Sequence, residues 1–212
     1  MGAVDVTPEM IVGIDASYSM SGIAMVDFRS MKPIYSAVVR EHKSLKDEPI
    51  YSRAGAMAAG IFSEALHARG VVLIGVEGPA PMAKITMTRR NKVTGEPEEF
   101  TTVNTKTIEQ LARLRQAIHT LLRPRHGPIL GPEVLDYFEP TPNQVKKAAT
   151  GKGNAKKDHV VHSVRAWIRG ANPEMYEIMS KHKNRLEAMT DAFGVALATA
   201  ALYNEKRIGG LG

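Results

Sequence analysis

Apolar residues first gather at Met10-Ile11-Val12-Gly13-Ile14, a run that ends abruptly at Asp15. They return at Ile23-Ala24-Met25-Val26, after a small, serine-rich stretch from Ala16 to Gly22. Short apolar runs bounded by turn residues predict two strands joined by a tight turn. Pro33 to Arg40, with Ile34, Val38 and Val39, predicts a third strand and completes an antiparallel meander. From Ile50 to Arg69 the period lengthens. Ala54, Met57, Ala58, Ile61, Phe62, Ala65 and Leu66 recur at helical spacing, which puts them on one face of a helix that Gly70 closes. Val71 to Val76 is continuously apolar, as a strand covered on both faces must be, and it ends at Glu77.

The pattern breaks between Lys84 and Thr102, where cations, Gly95, Pro97 and three glutamates leave almost no apolar period. This predicts an exposed basic loop inserted at about 84–103, with a disordered insertion equally open. Ile108, Leu111, Ala112, Leu114, Ile118, Leu121 and Leu122 mark a second helix, stopped by Pro124, and Val134 to Phe138 predicts a fifth strand. Thr141-Pro142-Asn143-Gln144 combines an N-cap, a proline at the first helical position and a capping-box glutamine, so a short helix should start there. Ala155–Ile168 and Leu186–Tyr203 predict two further helices, and 204–212 a flexible tail. The expected fold is α/β: one domain over 1–212, with a mixed five-stranded sheet covered by helices on both faces. A ribonuclease-H-like fold requires this order of elements.

Composition narrows the partners rather than the fold. Twenty-eight Lys plus Arg against 22 Asp plus Glu give a formal charge of +6, which favours an anionic partner without naming it. The absence of cysteine removes disulfides and thiolate metal sites and permits a reducing compartment. Neither a secretory leader nor a long uncharged apolar run can be read, so a cytoplasmic chain with no membrane contact is expected.

Asp15 and Glu77 each sit where a buried strand ends. A carboxylate there is either a structural anchor or a metal ligand on a rigid scaffold. Glu187 and Asp191 share one face of the last helix, where like charges repel; a divalent cation with a preference for oxygen ligands would relieve that repulsion. A solvated helix end is the other reading of this pair. From Thr141 to Arg169 the chain holds Lys146, Lys147, Lys152, Lys156, Lys157, Arg165 and Arg169, and Thr150-Gly151-Lys152-Gly153 breaks the helices so that backbone amides and lysines share a turn. Such a cluster suits a phosphate backbone, although a plain solvated basic face would look the same.

Gly13-Ile14-Asp15 followed by Ser21-Gly22, then Val76-Glu77, then Met82-Ala83-Lys84, resembles the N-terminal half of the RuvC family of Holliday junction resolvases. The run from Gln144-Val145-Lys146 through Gly151-Lys152-Gly153 to Ala155-Lys156-Lys157 resembles that family's "QVK, GxG, AxK" signature, and Asp191-Ala192-Phe193-Gly194-Val195-Ala196 resembles its closing aspartate helix. The pieces occur in the family's order from about Ile11 to Ala200.

The resemblance implies a ribonuclease-H-like fold and a homodimer that cuts four-way junctions with two Mg²⁺ ions, Mn²⁺ substituting. Asp15, Glu77 and Asp191 would be the metal ligands, with Lys146 and Lys157 near the scissile phosphate. Lys84, Arg89, Arg90, Lys147, Lys152 and Lys156 would contact DNA, and the helix over Thr107–Leu122 would form the dimer contact. The implied host is a bacterial or phage-infected bacterial cell. Two departures stand out. The family's fourth acid falls on Ala188, leaving Glu187 one position away to substitute, and Gly78-Pro79-Ala80-Pro81 stands where the family presents an aromatic at the junction centre. With the basic insertion, this opens the substrate to forks and flaps. An actin-like or sugar-kinase-like ATPase module, a non-catalytic branched-DNA-binding relative and an RNA–DNA hybrid nuclease are the competing readings.

Overall fold

The computed structural model describes residues 6–78, 85–90, 95–102, 105–122 and 133–209. The meander forms as the hydrophobic pattern requires: β1 (Met10–Asp15), β2 (Met20–Asp27) and β3 (Pro33–Arg40) pair antiparallel. β4 (Val71–Val76) adds parallel to β1, and β7 (Glu133–Phe138) adds parallel to β4, giving the order β3-β2-β1-β4-β7. The mixed five-stranded sheet is thus as expected.

Alternation along the central strands divides the core. Val12, Ile14, Ile23, Met25, Val72, Ile74 and Val76 point to one face and bury against α1 (Ile50–Ala65) and α2 (Thr105–Leu122). Ile11, Ala24, Val26 and Leu73 point to the other, against α4 (Lys157–Ala171), α5 (Pro173–Ser180) and α6 (Lys183–Gly209). Period-two strands buried on both sides explain why their sequence is apolar throughout. Leu114, Ile118 and Leu122 of α2 lie in this core. The apolar stripe suggested as a dimer contact is therefore largely used within the chain.

α6 lies close on the sheet because the strands offer glycines beneath it. A Cβ on Gly13 would stand 2.3 Å from the Ala192 carbonyl oxygen, and one on Gly22 would stand 1.9 Å from that of Ala188. The helix answers with small residues, Ala188, Ala192 and Ala196, all buried. Among the described residues, no helix is long and apolar enough to cross a membrane.

Several boundaries differ from expectation. The 84–103 segment contains a hairpin, β5 (Ile85–Arg90) paired antiparallel with β6 (Pro97–Thr102), with Gly95 at φ 73°. A two-stranded ribbon held by backbone hydrogen bonds needs no apolar alternation, so the periodicity gave no sign of it. α5 is an element beyond those expected; Asn172 caps it, its Oδ1 accepting from the Met175 amide at 3.2 Å. The residues taken as a tail from 204 continue α6 to Gly209, while 210–212 lie outside the described residues. Lys206 there pairs with Asp136 on β7, which ties the helix end to the sheet edge.

Candidate active site

Three carboxylates meet where β1, β4 and α6 converge. Asp15 ends β1 opposite Gly22 of β2. Glu77 follows β4 directly, and its amide donates to the Ile14 carbonyl at 3.0 Å, so the parallel pairing itself sets the two acids side by side. Asp191 arrives from above on α6, immediately before the Ala192 that packs on Gly13. The β1–β2 turn is held by buried Ser21, whose hydroxyl donates to the Ser17 carbonyl at 2.7 Å and accepts from the Ser17 amide at 3.0 Å.

The electrostatics are those of crowded negative charge. Burial first, then the neighbouring Glu77 and Asp191, push the Asp15 carboxyl up to about 8, and a hydrogen bond with Glu77 adds to the rise. Glu77 and Asp191 are also raised, each chiefly by burial. A proton shared among these groups relieves what water no longer screens. Lys157, in the first turn of α4, supplies counter-charge: its ammonium pairs with Glu187 and lies 3.6 Å from Asp191 Oδ2. That contact raises Lys157 and lowers Glu187, which is otherwise exposed at the rim.

The structure brings together Asp15, Glu77, Asp191, Glu187 and Lys157. Lys146, half-buried on α3 (Pro142–Thr150), is not among the cations that bear most on the carboxylates; besides Lys157 these are Arg115, acting on Glu77, and Arg165, acting on Asp191 and Glu187. Neither arginine was singled out for the site from sequence, because each reaches it across the fold from a different helix. Lys147, Lys152 and Lys156 are exposed on α3 and on the turn after it. That turn follows from local chemistry: Thr141 and Gln144 form the reciprocal capping box, and Gly151 closes α3 at φ 77°. Lys84 lies outside the described residues. Arg89 and Arg90 lie on β5, in register with Glu98 and Pro97, but their side chains are outside what the structure describes.

Hard carboxylate oxygens with uncompensated charge match what Mg²⁺ or Mn²⁺ binds. Among the described residues, no three such side chains already stand close enough together to hold an ion. Lys157 occupies the rim, where counter-charge is needed. The donor set therefore fits a divalent cation in chemistry.

A pH prediction follows from this crowding. Since Asp15 is raised in the folded state, its contribution to stability is complete below its unfolded value, near 4, and is lost as pH rises through about 8. Glu77 and Asp191 act in the same direction. In chelator, the melting temperature of the wild type should fall between pH 6 and pH 9, and that of Asp15→Asn should fall less. Equal falls would show that Asp15 does not carry this strain.

No protein-family model matches the chain. The crossover junction endodeoxyribonuclease RuvC of Campylobacter jejuni (serotype O:6) is 36% identical over 102 residues, 48% of this chain and 53% of that protein. This alignment thus spans about half the length of the relative. RuvC of Rickettsia felis is 25% identical over 165 residues, covering 77% of this chain and 85% of that protein. In fold, Thermus thermophilus RuvC superposes with a TM-score of 0.52 at 19% identity, over 93% of this chain and 96% of that one. The same protein in complex with a Holliday junction substrate gives 0.51.

Proposed function

We propose that this chain, RuvC-like in sequence and in fold, is a metal-dependent endonuclease that resolves four-way DNA junctions. The observation that carries the reading is the meeting of Asp15, Glu77 and Asp191 in one charge-crowded pit, at the place where β1, β4 and α6 converge. An ATPase reading has no comparable support: the described acids gather with lysine and arginine rather than with a glycine-rich phosphate loop.

Asp15, Glu77 and Asp191, with Glu187 at the rim, would hold divalent cations, two Mg²⁺ in the full arrangement. Bound there, the ions would supply a nucleophilic water at neutral pH and Lewis-acid stabilisation of phosphoryl oxygens. The rest belongs to the protein. Lys157 holds the acids' charge in the free enzyme; once that charge is matched, its ammonium is free to face a phosphate oxygen and stabilise charge that grows during cleavage. Lys146, Lys147, Lys152 and Lys156, around the Gly151 turn, bind the backbone of the flanking duplex without reading its sequence. Lys84, Arg89 and Arg90 would be further DNA contacts. A homodimer would place two such pits for paired cuts, in the cytoplasm of a bacterial or phage-infected cell. Forks and flaps fall within reach of the same surface, since the chain has Gly78 and prolines, not an aromatic, after Glu77.

The test is a substrate panel: labelled four-way junction, replication fork, linear duplex and RNA–DNA hybrid, incubated with Mg²⁺ or Mn²⁺. Paired symmetric nicks in the junction are expected. Preferential cutting of the hybrid would overturn the assignment, and no metal-dependent cutting of any substrate would leave a binding protein. On the same junction, Lys152→Ala should weaken binding and reduce the slope of log affinity against log salt by about 0.9, the loss of one phosphate contact. An unchanged slope would move the DNA path away from the Gly151 turn.

A further inference from the structure

The cleft between α4 and α5 gathers Arg165 and Arg169, the last two cations of the basic segment that begins at Thr141, away from the Gly151 turn. It has a volume of about 370 Å³, and Asp158, His162, Arg165, Arg169 and Tyr176 line it. On α4 these residues recur at positions 158, 162, 165 and 169, a single stripe set apart from the buried Val160, Val164 and Ile168. The stripe is therefore not a by-product of core packing.

Two features give the cleft a direction. Arg165 reaches toward the carboxylates: its Nε lies 3.5 Å from Thr190 Oγ1, next to Asp191, and its charge helps to lower Glu187. Arg169, about 6 Å further along the helix, sets its guanidinium 5.8 Å from the centre of the Tyr176 ring. Among the described residues neither arginine closes a salt bridge, although carboxylates pair with Arg53, Arg113, Lys157 and Lys206 elsewhere. Asp158, nearer the start of α4, would repel an anion at that end. Two guanidinium forks on successive turns of one helix, outside any salt bridge among the described residues and in a concave surface, suit a run of phosphates.

We infer that this cleft holds the sugar-phosphate backbone of the nucleic-acid strand as it continues past the carboxylates, with successive phosphates against Arg165 and Arg169. The inference rests on the nuclease reading above and adds to it a second contact region, further along α4 than Lys157. Tyr176 is a positioning residue here, keeping the Arg169 fork aimed into the cleft.

The experiment compares wild type, Arg169→Ala and Arg169→Lys on a fluorescent four-way junction, across a salt series in chelator. Arg169→Ala should lower the salt slope by about 0.9 on a junction with full-length arms, while Arg169→Lys, which keeps the charge, should stay near the wild-type slope. On a junction with arms trimmed close to the branch, wild type and Arg169→Ala should become equal, because the strand no longer reaches the cleft. Equal slopes on the full-length junction would overturn the inference while leaving the nuclease reading intact. So would a loss in Arg169→Lys as large as that in Arg169→Ala, since packing on Tyr176 would then be the role. Failure of the wild type to bind any junction would remove both readings.

Discussion

Asp15→Asn will cut a four-way junction at least about a thousandfold more slowly than the wild type, while binding it within about twofold. The rate loss corresponds to about 4 kcal/mol of transition-state stabilisation, the scale expected when a central ligand of a catalytic metal loses its charge. Binding should survive because Asp15 lies in the pit, while the cations proposed to meet the backbone lie on α3, on the Gly151 turn and along α4. The substitution removes the group most strongly shifted by burial and by its acidic neighbours, so the variant should also melt higher than the wild type in chelator. Single-turnover cleavage, gel-shift titration and thermal melts read the three quantities separately. Cutting within tenfold of the wild type would sink the assignment of Asp15.

Gly13→Ala should damage both stability and cutting, by a different route. Its Cβ would meet the Ala192 carbonyl oxygen at 2.3 Å and the Ala196 amide nitrogen at 2.5 Å, both backbone atoms of α6. No rotamer change relieves that clash; the helix must shift as a body. Overpacking of this kind costs about 3 kcal/mol, which lowers the melting temperature of a domain this size by roughly 10 °C. The same shift carries Asp191 away from Asp15 and Glu77, so cutting should drop by more than about tenfold even at temperatures where the variant is fully folded. A variant that stays folded and cuts at the wild-type rate would show that the close seating of α6 does not position Asp191. Gly55, inside α1 where a Cβ meets nothing, provides the control, as Gly55→Ala should leave cutting unchanged and raise the melting temperature slightly through the helix preference for alanine.

Those two predictions also separate what could be read along the chain from what could not. The five sheet strands, the capping box at Thr141 and the acids at the ends of β1 and β4 all follow from local rules: alternation, turn residues, and a carboxylate where an apolar run stops. The hairpin over Ile85–Arg90 and Pro97–Thr102 did not follow, because its pairing is made by backbone groups and leaves no apolar alternation. Nor did α5, since Asn172-Pro173 marks the start of a helix as readily as the end of one. Glu187 was read as a substitute ligand; the structure puts it at the rim, paired with Lys157. Arg115 and Arg165 escaped notice at the site because residues from α2 and α4 become neighbours of the acids only through packing.

The sequence by itself determined the elements, the two apolar faces of the sheet and the types of side chain available for chemistry, because each of these depends on residues within a turn or two of one another. Only the tertiary structure decided which of the acids share one field and which cations answer them. That depends on how closely α6 can approach β1 and β2, and the limit is steric: two glycines on the strands and a row of alanines on the helix let Asp191 come near Asp15. Charges so placed lose the water that would screen them, and it is this loss, a property of the assembled fold, that turns ordinary carboxylates into a pit suited to a cation.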